Sequence, residues 1–117
     1  MDTYFALERL HDRIQGALER SGRTDSIKVV AASKYGDANM IAKLFDAGQH
    51  SMGENRIQDA IPKIEHLKGK SIDWHFIGHL QSNKVKKAVQ YFDCIQSIDS
   101  LGLLRVVDLE KNLARWV

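Results

Sequence analysis

The chain holds one cysteine, Cys94, and one proline, Pro62. A single thiol allows no internal disulfide, and cysteine-based zinc sites need more thiols than this. That usage fits a reducing compartment. Glycine is modest, 8 in 117 residues, which with the single proline excludes collagen-like and low-complexity chains. No apolar run approaches the roughly 20 residues that cross a bilayer. Residues 1–9 carry charges where a signal peptide has its apolar run. A soluble cytoplasmic protein without membrane contact is expected. An excess of one charge is also missing: 17 Lys+Arg against 15 Asp+Glu leave +2, short of the basic footprint of an electrostatic nucleic-acid binder. At 44% hydrophobic residues the chain can bury a core, so it reads as one globular domain or part of a larger one, with no internal boundary across 1–117.

What is present is a regular alternation. Residues 3–21 place Leu7, Leu10, Ile14, Ala17 and Leu18 on one helical face, and Gly22 is a natural stop. Residues 27–32 are short, apolar and β-branched, as in a strand buried on both faces. Asp37 should cap a helix over 38–46, with Met40, Ile41, Leu44 and Phe45 inward and Gly48 beyond its end. A strand at 50–52 follows. Asn55, with Gln58 three residues on, resembles a capping box that opens a helix over 56–67, where Pro62 should introduce a kink. Strands at 73–77 and 94–98 are each followed by a helix: 83–91, capped by Ser82, and a last one opening at Asp99 or Ser100 and running to about Arg115. Strict strand–helix alternation implies parallel strands with right-handed crossovers, either in an open doubly wound sheet or in a barrel. A (β/α)8 barrel takes about 250 residues; four strands correspond to half of one.

In both architectures ligands bind at the carboxyl ends of the strands. Those ends here carry Ser33 and Lys34, then Gly53 to Arg56, then Gly78 to Lys84, then Asp99 and Ser100. All four are polar. Lys34 stands out, because partial desolvation at a strand end would lower its pKa and make it a nucleophile toward aldehydes; the plain alternative is a solvated lysine. Asn55 either contacts a ligand or caps its helix, the second being the commoner role. Glu54 and Arg56 read as a solvated pair or as loop staples. His75 and His79 are four apart but straddle a strand end, so no metal site is assigned; His75 should pack beside Trp74 and Phe76, and His79 is the better ligand contact. Ser82 and Asn83 could hold an anion or simply cap. Lys84, Lys86 and Lys87 form a basic cluster without interleaved aromatics, which favours a solvated helix face over an RNA platform.

Four segments carry a resemblance: Val29-Val30-Ala31-Ala32-Ser33-Lys34, Gly53-Glu54-Asn55-Arg56-Ile57-Gln58, Trp74-His75-Phe76-Ile77-Gly78-His79-Leu80-Gln81-Ser82-Asn83-Lys84, and Ile95-Gln96-Ser97-Ile98-Asp99-Ser100. The third is the most specific. Together they resemble the pyridoxal phosphate homeostasis family, also described as YggS/PROSC-like or alanine racemase N-terminal-domain-like, over residues 4–104. The resemblance implies an α/β fold, the (β/α)8 TIM-barrel type of the fold type III pyridoxal-phosphate group. Here it would comprise the first four βα units plus an N-terminal helix. It implies pyridoxal 5′-phosphate held as an imine on Lys34, with Asn55 near the cofactor and His79 as a further contact. It implies a role in cofactor homeostasis without catalytic turnover. The phosphate cradle and the group facing the pyridine nitrogen come from the family's second half, so cofactor binding by these residues alone is expected to be weak. Tyr35-Gly36-Asp37 replaces the family's usual Thr/Lys/Pro-type run, and Pro62 interrupts a helix that is usually continuous. Two further readings stand beside this one. One is a truncated, non-catalytic interaction module that binds protein or RNA and no longer holds the cofactor. The other, an amino-acid racemase, is disfavoured because no second domain or opposing base is visible. Four strands also leave two open sheet edges, which invite self-association.

Overall fold

The structure is a computed structural model and describes residues 3–22, 27–33 and 36–111. A first helix, α1 (Thr3–Ser21), precedes four βα units. These are β1 (Ala31–Ala32) with α2 (Ala38–Asp46), β2 (Ser51–Glu54) with α3 (Ile57–His66), β3 (Asp73–Phe76) with α4 (Val85–Tyr91), and β4 (Cys94–Ile95) with α5 (Leu101–Lys111). A 3₁₀ turn, Ser82–Lys84, leads into α4.

The four strands form one sheet in the order β1-β2-β3-β4, with every pair parallel. That order separates the two expected architectures. A doubly wound sheet reverses direction at a switch point. A sequential order with right-handed crossovers keeps every crossover helix on one face, which is the barrel winding. The opposite face of the sheet is then the concave, inward one.

Alternation along the strands sorts the side chains between these faces. Met52, Trp74, Phe76 and Ile95 turn toward the helices, where they meet Ile41, Ile57, Ala60, Ile64, Val85, Ala88, Val89, Phe92, Leu103 and Val107 in one buried core. Phe76 meets Phe92 edge-on, with ring centroids 5.2 Å apart. Burying a side chain of this size is worth about 1.5–3 kcal/mol. Ser51, Asp73, His75 and Gln96 occupy the concave face and are linked to one another by side-chain hydrogen bonds.

Several local expectations are corrected here. β1 is not buried on both faces: Ala31 is half-buried, Ala32 is exposed, and pairing is confined to these two residues. As an edge strand it pairs with one neighbour, β2, among the described residues. Of the α1 residues expected on the inner face, Leu7 is buried, Ile14 and Leu18 are half-buried, and Leu10 and Ala17 face solvent, because the helix rests on the periphery. Met40 is 55% exposed, and Ile41 supplies the fully buried anchor of α2. Helix α3 begins one residue later than expected, with Arg56 rather than Asn55 at its N-cap position and no side-chain cap bond; it runs through Pro62 as a single α-helix. Ser82 starts the 3₁₀ turn instead of capping α4.

Two caps match expectation. The Asp37 carboxylate accepts from the Met40 N–H at 2.9 Å, and the Ser100 hydroxyl accepts from the Leu103 N–H at 3.1 Å. Gly22 and Gly48 adopt positive φ just past α1 and α2, where a side chain would be strained. The far end of the last helix, beyond residue 111, lies outside the described residues.

Candidate functional site at the strand ends

The sheet ladder continues past the strands and ties their carboxyl ends together. The Ser33 N–H donates to Gly53 O at 2.9 Å, Ile77 N–H to Glu54 O at 2.9 Å, and Gln96 N–H to Phe76 O at 3.0 Å. The described residues that follow the four strands therefore emerge side by side on one rim.

The rim is tightly packed at two points, against backbone at Gly78 and against side-chain tips at Gly53. A Cβ on Gly78 would sit 2.2 Å from the Asn55 carbonyl oxygen and 2.6 Å from its Cα. A Cβ on Gly53 would sit 2.9 Å from Ile77 Cδ1 and 3.2 Å from Val30 Cγ1. Glycine at position 78 thus lets the end of β3 lie against the backbone of Asn55, which is half-buried.

Beside that contact is a cleft of about 170 Å³ lined in part by Asn55, Arg56, Gln58, His79, Gln81 and Lys84. Asn55 and His79, both expected at a site, are brought together there. The Lys84 ammonium donates to Gln58 Oε1 at 3.2 Å, bridging the start of α4 to α3. His79 is largely exposed, with its Nδ1 3.6 Å from an Asp99 carboxylate oxygen, so the β3 and β4 rims approach each other. Lys34, the third expected site residue, lies outside the described residues, as does Tyr35; the flanking Ser33 and Gly36 are joined by a hydrogen bond from Gly36 N–H to Ser33 O of 2.9 Å.

Glu54 is neither solvated nor paired with Arg56. Its side chain is 1% exposed and meets Lys63 of α3, itself only 14% exposed, at 3.0 Å, while Arg56 faces solvent. The same ammonium donates to the Ser33 carbonyl at 3.1 Å, and the Ser33 hydroxyl donates to the Glu54 carboxylate. Sequence reasoning missed Lys63, because a lysine in mid-helix reads as solvated. The available signal was its place six residues into a helix whose buried face carries Ile57, Ala60 and Ile64.

His75 is the other correction. It does not pack with Trp74 and Phe76, because strand alternation turns it to the concave face. There its Nε2 lies 2.8 Å from an Asp73 carboxylate oxygen, and its Nδ1 lies 3.2 Å from Gln96 Nε2. Burial on its own would push the Asp73 carboxyl up, but bonds from Lys28, His75 and Ser51 override this and hold its pKa down at about 2. Desolvation pushes the neighbouring Cys94 thiol up, which keeps it a thiol rather than a nucleophilic thiolate. Among the described residues, no group of three His, Cys, Asp or Glu side chains is placed to hold a metal ion, and no helix is long and apolar enough to cross a membrane.

The cleft has hydrogen-bonding groups and positive charge that suit a small anionic ligand. It offers amides, an imidazole and the cations Arg56 and Lys84, and no carboxylate is among its lining side chains. The wound sheet and the polar rim together define a protein of the (β/α)-barrel class, represented by its first four βα units.

No protein-family model matches the sequence. Individual relatives do. The chain is 40% identical over 101 residues to the pyridoxal phosphate homeostasis protein of Escherichia coli K12, covering 83% of this chain and 43% of that protein. It is 41% identical over 98 residues to the protein of the same name from Aquifex aeolicus. Among solved structures, PipY of Synechococcus elongatus with pyridoxal phosphate bound superposes with a TM-score of 0.74 at 41% identity, covering 83% of this chain and 46% of PipY. A protein of unknown role from Bifidobacterium adolescentis superposes with a TM-score of 0.82 at 31% identity over 96% of this chain and 50% of that one. The chain belongs to the pyridoxal phosphate homeostasis protein family. It spans less than half the length of these curated relatives.

Proposed function

We propose that this chain binds pyridoxal 5′-phosphate at its strand-end rim and takes part in intracellular cofactor homeostasis as a holder of the cofactor, without catalytic turnover. Lys34 supplies the amine that anchors the cofactor covalently, Asn55 orients ring substituents, and His79 contacts the cofactor edge. The bound group supplies an electrophilic aldehyde carbon; the protein supplies the amine and the polar cleft around it. The observation that carries this reading is the meeting of Asn55 and His79 in one cleft at the carboxyl ends of β2 and β3, while Ser33, the residue before Lys34 in the chain, is bonded to Gly53 at the end of β2. The solved structure of PipY with pyridoxal phosphate bound, 41% identical to this chain, supports it. Charge-assisted hydrogen bonds to a phosphate account for much of the affinity of such sites. Arg56 and Lys84 are the cations of this cleft, and affinity is weak unless further polypeptide, including a second copy paired through the sheet edges, adds to the phosphate-binding groups they supply.

Borohydride reduction with limiting pyridoxal phosphate, followed by peptide mapping, tests the assignment against the ten lysines of the chain. Label concentrated on Lys34 is the expected result. Label scattered over exposed lysines such as Lys86 and Lys87 removes the cofactor reading and leaves the interaction module.

A further inference from the structure

The helix layer carries a concentration of unpaired positive charge. Lys28, Lys63, Lys68 and Lys70 each meet a carboxylate: Asp73, Glu54, Glu65 and Asp46 respectively. Lys84, Lys86 and Lys87, in the 3₁₀ turn and the first turn of α4, have no carboxylate partner among the described residues. These three lysines and Asn83 form one side of a groove of about 360 Å³ between α3 and α4. Ile57 and the half-buried Ile61 of α3 form the other side, and no carboxylate is among the lining residues. Lysine stems can cover apolar surface while their ammonium heads stay in water, so such a groove is apolar at its base and cationic at its lip.

Its place in the fold separates it from the unfinished parts of the barrel. Strands β2 and β3 are paired on both sides, and α3 and α4 are the helices that follow them. Further βα units would add at β1 or β4, away from this groove, and nothing that fills the concave face reaches the outer face of the helices. RNA is a poor occupant, because the lining holds no aromatic ring on which a base could stack.

We propose that this groove docks an acidic segment of a partner protein. One apolar side chain of the segment packs against Ile61, and flanking carboxylates meet Lys84, Lys86 and Lys87. Lys34 takes no part, so the proposal is independent of the cofactor assignment.

Fluorescence polarisation on the full chain tests it. The probe is a fluorescein-labelled synthetic peptide of glutamates interspersed with leucines; the controls are the same peptide with every leucine replaced by serine, and a uridine-tract RNA. We expect saturable binding of the leucine peptide, about tenfold tighter than the serine control, the worth of burying one such side chain. That preference should persist in high salt, where the purely electrostatic part is screened. The double substitution Lys86→Glu with Lys87→Glu should weaken binding roughly tenfold. Lys43→Glu, at an exposed lysine on α2 without a carboxylate partner, should leave it unchanged. Ile61→Ala should weaken the leucine peptide and not the serine control. Should Ile61→Ala not fold, the double variant decides, because Lys86 and Lys87 are both exposed. Absence of saturable binding, equal affinity for the leucine and serine peptides, tighter binding of the RNA, or a loss with Lys43→Glu as large as with the double variant overturns the proposal.

Discussion

At the scale of single residues, the concave face is organised around Asp73. Its carboxylate accepts from Ser51 at 3.0 Å, lies 2.8 Å from His75, and pairs with Lys28. Its folded pKa of about 2 lies below the ordinary carboxylate value of 3.8. A depressed carboxyl stabilises the fold above its unfolded pKa and loses that contribution as pH falls through its folded one. The wild type should therefore lose stability between roughly pH 5 and pH 2, by on the order of 1 kcal/mol from this group after solvent screening. Asp73→Asn should flatten that part of a urea-denaturation series, and a slope identical to the wild type would reassign the acid sensitivity elsewhere. The identities of these partners were open to reading in the sequence, but their association was not. His75 was assigned to the apolar face because its neighbours Trp74 and Phe76 are apolar, whereas alternation places it opposite both. For Glu54 the sequence leaves a solvated pair with Arg56 and a structural staple both open, and only the packing of α3 against β2 brings Lys63 to it and decides for the structural role.

At the scale of elements, the punctuation was legible and the strand lengths were not. Asp37 and Ser100 are good cap residues that did cap, since a short oxygen-bearing side chain ahead of a helical run has a free N–H within reach whatever the rest of the fold does. Asp37→Ala should accordingly cost about 0.5–2 kcal/mol, read as a lower urea midpoint with an unchanged slope. No change would mean that tertiary packing against Ile41, not the cap, holds the start of α2. Asn55 and Ser82 looked equally suitable and did not cap. Close approach of Gly78 engages the Asn55 backbone, and the rim enters α4 through a 3₁₀ turn. Strands β1 and β4 are shorter than their apolar runs suggest, because strand length is set by a partner and each of these has only one.

At the scale of the whole molecule, the order β1-β2-β3-β4 leaves β1 and β4 with unpaired outer edges among the described residues. Unpaired edges are templates for association. The concave face carries the polar Ser51, Asp73, His75 and Gln96 beside the apolar Val30 and Ile77, and the strand edges add unpaired backbone groups to it. We expect concentration-dependent self-association by light scattering, strengthened when pyridoxal phosphate is present if a second copy helps complete the rim. A well-ordered monomer at all concentrations would remove edge pairing from the account and with it the route by which copies of this chain could assemble a fuller site.

The sequence by itself determined the alternation of helices and strands, the parallel sheet, most helix ends and the polar character of the rim. Each of these follows from periodicity, local turn chemistry or residue type, which act within a few positions along the chain. Only the tertiary structure decided between barrel winding and a doubly wound sheet, turned His75 away from the core, and joined Ser33, Glu54 and Lys63 into one buried network. Those outcomes depend on which strands become neighbours and which helix faces cover them. Contacts between residues 20 or 30 positions apart are settled by packing rather than by local preference.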